Sequence, residues 1–98
     1  MKTIEILSHK NRIIKDISLP TVARANLISN TIFINPNYSI DALEEGLFHE
    51  ILENIKYYCE LDLEHNILSM LSSVLYDTLK RNNLLKEIIN FEGGKGGI

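Results

Sequence analysis

The sequence predicts an α+β domain in which a small N-terminal antiparallel β-sheet packs on two main α-helices. Three observations carry this prediction. Residues 3–35 contain short Ile- and Val-rich stretches separated by polar turn formers at hairpin spacing. Asn35-Pro36-Asn37 then breaks the chain, and beyond Ser39 apolar residues recur every three or four positions, the period of a helix with one buried face. The 98 residues suffice for one domain with one modest core.

Taken in order, Thr3 to Leu7 and Arg12 to Ile17 flank Ser8-His9-Lys10-Asn11, which reads as an exposed hairpin tip with Asn11 in a left-handed backbone. Pro20 interrupts. Val22 to Asn26 and Thr31 to Asn35 form a second pair around Leu27 to Asn30, with Ile32 and Ile34 alternating against Thr31, Phe33 and Asn35 as in a half-buried strand. Ser39 is a good N-cap, and Asp41, Glu44 and Glu45 follow it near the positive end of the helix dipole. Leu43, Leu47, Phe48, Ile51, Leu52, Ile55 and Cys59 give this helix of about 20 residues a broad core-facing stripe, Cys59 serving as a small core residue. Asp62 is placed to cap a second helix with Ile67, Leu68, Leu71, Val74, Leu75 and Leu79 on its inner side. Asn82-Asn83 marks a break and Leu84 to Phe91 a further helical stretch. Residues 1–92 then form a single domain, and residues 93–98 a flexible Gly-rich tail.

Ten Lys and Arg against thirteen Asp and Glu leave a formal charge of −3 with no basic run, which argues against a nucleic-acid partner. No apolar run reaches the roughly 18 residues of a membrane span. The single cysteine excludes an intramolecular disulfide and a four-thiolate zinc site. Met1 to Glu5 do not build the apolar segment of a signal peptide, so a reducing cytoplasm is the expected address.

The chemistry-bearing stretch is His49-Glu50-Ile51-Leu52-Glu53. Residues four apart on a helix are neighbours, so the His49 imidazole and the Glu53 carboxylate can converge on one point. At about 100° per residue they project away from the Leu47/Ile51/Ile55 stripe and beside the small residues Ala42 and Gly46. His65, twelve residues beyond Glu53, offers a third donor where the chain folds back, with Glu64 as the rival. Two imidazoles and one carboxylate make the His₂Glu set of some catalytic zinc sites, with a fourth position open to water; iron(II) also accepts such donors. Glu50 directly follows the first ligand, as the general base does in H-E-x-x-H zinc peptidases, although here Glu53 stands where the second His would be. Tyr57 projects near Glu50 and Glu53, either as an oxyanion donor or as a packing aromatic.

Thr31-Ile32-Phe33-Ile34-Asn35, Leu47 to Glu53, Leu61-x-Leu63-x-His65 and Leu75-Tyr76 to Asn82 together resemble small bacteriophage and prophage proteins related to minimal zincin-type metallopeptidases, over residues 22 to 82. Some members of that group carry H-E-x-x-H and others H-E-x-x-E. The resemblance implies a zincin-like fold, His49, Glu53 and His65 as metal ligands, Glu50 as general base, and a sheet-edge strand, Thr31 to Asn35, along which an extended peptide substrate adds. The chain departs from the group at Glu45-Gly46, where a Thr often stands, and has no extended substrate-binding lobe. The expected function is therefore a zinc-binding, metal-dependent hydrolase of phage or prophage type. The alternatives are an inactive phage accessory or interaction protein with a structural metal or none, and an acidic helix face that binds a cationic partner.

Overall fold

The computed structural model describes residues 3–84. Four strands lead: β1 (Thr3–Ile6), β2 (His9–Lys15), β3 (Ala23–Asn26) and β4 (Thr31–Ile34), followed by the helices α1 (Ile40–Cys59) and α2 (His65–Arg81). The α+β class follows as expected, and the two helices begin and end close to the sequence-predicted positions. The expected helical stretch after Leu84 and the tail lie outside the described residues.

The sheet is mixed rather than antiparallel. Its order is β1-β2-β4-β3, with β1·β2 and β3·β4 antiparallel but β2·β4 parallel, Arg12 facing Thr31 and Lys15 facing Ile34. The reason lies in residues 16–22. Asp16 Oδ1 accepts from the Ser18 N–H at 2.9 Å, Leu19 is buried, and its carbonyl accepts from Asn35 Nδ2 at 2.9 Å. This anchored crossover carries the chain past the slot that β4 later fills, so β3 becomes the outer strand. Thr31 to Asn35 is therefore not the sheet edge: β4 is paired on both sides, and the free edge of this half of the sheet belongs to β3.

The first hairpin also turns earlier than the residue types suggest. Leu7 (φ 48°) and Ser8 (φ 70°) make a two-residue turn with both backbones left-handed, the geometry that matches strand twist. Asn11 consequently lies inside β2, opposite Ile4 and wholly buried, with its amide donating to the His9 carbonyl at 3.1 Å.

Ser39 caps α1 as expected, its hydroxyl accepting from the Ala42 N–H at 3.2 Å. Leu43 and Leu47 then press on Ile6, Ile13, Ile32 and Ile34 of the sheet, and Tyr76 of α2 closes the same core. Cys59 is exposed rather than core. The last turn of α1 meets the strands through Tyr58, whose ring stacks on His9 with centroids 3.9 Å apart, and Cys59 beside it faces outward.

α2 returns along α1 in antiparallel fashion, as a ladder of side-chain pairs shows. Lys80 bonds Asp41, Tyr76 OH donates to Glu44 Oε1 at 2.9 Å, Ser73 Oγ to Glu45 Oε2 at 2.9 Å, and further along His49 meets Ser72 and Glu53 meets His65. The helix turns Leu68, Ser72 and Tyr76 inward, while Ile67, Leu71, Val74 and Leu75 of the expected inner stripe stay exposed. Its N-cap is Glu64, not Asp62, and it makes no side-chain capping bond. No helix among the described residues is long and apolar enough to cross a membrane.

One close approach fixes α1 against the β3 edge. A Cβ on Gly46 would lie 2.8 Å from Val22 Cγ1 and 3.5 Å from Ala23 Cβ. Helix propensity favours Ala over Gly by about 1 kcal/mol, whereas overpacking against a stiff Val costs about 1–3 kcal/mol. Gly46→Ala is thus expected to lower Tm by roughly 5 °C, and Val22→Ala in the same chain to restore part of it. Thermal melts of the two single variants and the double variant check the coupling.

Candidate metal centre

α1 supplies two of the three donors and α2 the third. The α1 helix ends where Glu60 enters the left-handed region (φ 54°), with the Leu61 N–H bonding back to the Lys56 carbonyl at 3.0 Å. The reversal that follows is short, so the first residue of α2, His65, arrives beside the α1 turn that carries Glu53. Asn54, wholly buried, donates to the Glu50 carbonyl at 2.8 Å and stiffens that same turn.

His49, Glu53 and His65 converge, each offering one ligand atom, and those atoms all lie within 4.8 Å of one another. His49 Nε2 is 3.4 Å and His65 Nδ1 3.2 Å from the same oxygen, Glu53 Oε2. A tetrahedral zinc with bonds of about 2.05 Å sets its ligand atoms about 3.3 Å apart, so the donors fit that ion in kind, and the two spacings to Glu53 Oε2 match it. Glu64, the rival donor, is the α2 N-cap and does not join the cluster. The His65 side chain is 74% exposed, which leaves a route for an ion to enter.

The nitrogens that face away from Glu53 meet serines of α2. Ser72 Oγ gives its proton to the Ser69 carbonyl at 2.9 Å and lies 3.3 Å from His49 Nδ1. With its proton committed, the hydroxyl accepts from Nδ1–H, which leaves the His49 Nε2 lone pair toward the cluster. Ser69 Oγ lies 3.4 Å from His65 Nε2 and meets that ring on its far side too. These serines were not singled out from the sequence; the signal was Ser69, Ser72 and Ser73 breaking an otherwise leucine-rich helix. They also line a cleft of about 320 Å³ with Val22, Glu45 and His49.

Glu50 lies beside the cluster, against β3. Burial and the Glu53 carboxylate push its carboxyl up to about 7, against the opposing pull of the Ala25 backbone N–H and of His65. Tyr57 is half exposed and lines a separate hollow of about 500 Å³ with Arg24, Ala25 and Phe33. His9 is exposed apart from its stack on Tyr58. No family model, curated protein or solved structure matches the chain.

Two measurements test this geometry. If Ser72 orients His49, Ser72→Ala lowers zinc affinity roughly 10- to 100-fold without removing a ligand, as titration against a competing chelator reads. For Glu50, the folded-state pKa lies above its ordinary value of 4.5. The folded chain therefore holds that proton more tightly, and stability falls as pH rises from about 4.5 through about 7. In metal-free protein Glu50→Gln raises Tm by roughly 5 °C at pH 8 and leaves it unchanged at pH 4.

Proposed function

We propose that this chain is a zinc-binding, metal-dependent hydrolase of the peptidase type, with His49, Glu53 and His65 as ligands and Glu50 as the residue that carries protons. The observation that supports this reading is the meeting of two imidazoles and one carboxylate from two helices around one point. Zinc suits the donor set, and iron(II) is the second candidate. An ion held there supplies Lewis acidity toward a carbonyl oxygen and acidifies water at its open position.

The rest of the reaction falls to residues of the chain. Glu50 takes a proton from the attacking water and returns it to the leaving amine nitrogen. A carboxylate held beside the cluster, against β3, is placed to do both. β3, the outer strand of the sheet, runs past Glu50, so an extended peptide can add to residues 23–26 by main-chain hydrogen bonds once Glu50 gives up the Ala25 N–H and Thr21 the Ala23 carbonyl. This edge takes the role that the resemblance assigned to Thr31 to Asn35. The lone cysteine, Cys59, is consistent with a reducing cytoplasm.

A second reading has its own support: Glu53 joins His65 of the other helix, so an ion at this point would staple α1 to α2 without turnover. One set of variants separates the two readings. Wild-type protein purified with zinc is expected to carry one ion per chain, and His49→Ala and His65→Ala close to none, by elemental analysis. Glu50→Gln keeps its zinc and loses roughly 10²- to 10⁴-fold of hydrolysis of an unstructured peptide pool. Equal zinc content in wild type and His49→Ala removes the site. Full zinc content with no hydrolysis in wild type, and a large loss of Tm on chelation, leaves the staple.

A further inference from the structure

Among the described residues, α2 carries a second apolar face that stays largely exposed. Leu68 is 1% exposed and Tyr76 7%, yet Met70, Leu71, Val74, Leu75 and Ile67 on the neighbouring side of the same helix are between 41% and 66% exposed. At about 100° per residue Ile67, Leu71, Val74 and Thr78 fall within one arc of roughly 60°, flanked by Met70 and Leu75. A continuous stripe of large apolar side chains along about two turns of a surface helix, from Ile67 to Leu75, marks an interaction site.

The charges at its two ends say what fits. Glu64, the N-cap, makes no side-chain capping bond, and Arg81 closes the helix in an exposed pair with Asp77 of its own helix at 2.7 Å. By the same projection these two residues sit on opposite flanks of the apolar arc. The stripe is acidic at its start and basic at its finish, so it complements itself only when turned end for end. We propose that this face binds a second copy of the chain, the two α2 helices packing antiparallel about a two-fold axis near Ser72 and Ser73. In that register Leu71 lies opposite the partner subunit's Val74, Ile67 opposite the partner subunit's Thr78, and Glu64 opposite the partner subunit's Arg81. Every contact then occurs twice, as an isologous interface requires, and the two helix dipoles oppose each other.

The interface is independent of the metal reading. His65 lies on the opposite side of α2 from the arc, toward Glu53, so a dimer leaves the cluster open.

Sedimentation equilibrium of the full chain between about 5 and 200 µM tests the proposal. Wild type is expected to pass from monomer to dimer across that range. Val74→Glu raises the dissociation constant at least tenfold and Leu71→Lys does the same, with far-UV circular dichroism and Tm near wild type because both side chains already face solvent. Arg81→Glu weakens the dimer, and Glu64→Arg in the same chain restores it. A wild-type chain that stays monomeric at 200 µM overturns the proposal, as does a dimer that survives both apolar substitutions. A dimer insensitive to the charge reversal and its restoration overturns the antiparallel register.

Discussion

The candidate site depends on where α1 stops. Glu53 and His65 are separated by a helix end, a reversal and a helix start, yet His65 Nδ1 lies 3.2 Å from Glu53 Oε2. That distance is available because Glu60 takes a left-handed backbone, which ends α1 within one residue and turns the chain back. One more helical residue would rotate the exit by about 100° and send α2 across a different face of α1. Each rung of the interhelix ladder, from Asp41 with Lys80 at one end to Glu53 with His65 at the other, inherits its register from this turn. The Lys80 ammonium, gathered by Asp41, Tyr76 and Glu44, is held well above its ordinary pKa and stays charged, so that end of the ladder does not loosen across the physiological range.

α1 also has to satisfy two neighbours at once. Its Leu43/Leu47 side fills the sheet core, and its Gly46/His49/Glu50/Glu53 side faces α2 and the β3 edge. Only a residue without a Cβ lets the helix come as close to Val22 as it does. That approach brings the Glu50 carboxyl under the β3 backbone, where Ala25 offers its N–H, and out of much of the solvent. Burial beside Glu53 costs the charged form energy and holds the carboxyl above its ordinary value. The placement that weakens the metal-free fold at high pH is thus the one that sets Glu50 beside the donor cluster.

How much of this was legible in the sequence follows from the range of each interaction. α1 was legible because its cap and its stripe are local: Ser39, Leu43 and Leu47 act within two turns. His49 and Glu53 were legible for the same reason, and His65 because the connection before it is short. The sheet order was not, since whether β3 or β4 lies outermost depends on the crossover through buried Leu19, a contact with Asn35 sixteen residues away. Asn11 was misplaced because Asn is common in tight turns, while the turn itself uses Leu7 and Ser8, types with no such preference. In α2 the apolar arc is wide enough to hold two stripes, and periodicity cannot say which one faces in. The structure chose Leu68, Ser72 and Tyr76, because small Ser72 lets the helices approach at His49 where a leucine would hold them apart.

That choice ties the stability of α2 to the polar side of the molecule. A helix that sends only Leu68, Tyr76 and part of Leu79 toward the core gains less from apolar burial than its composition allows. The remainder comes from the ladder of hydrogen bonds and ion pairs, most of it partly exposed and individually weak. An ion shared by Glu53 and His65 would bind only when α2 is docked, so its binding energy would add to docking in full. Undocking α2 would in turn abolish the ligand set while leaving α1 and the sheet in place. Occupancy of the cluster by an ion would therefore be coupled to the docking of the second helix, and the contacts that hold α2 through its serine face would act on both.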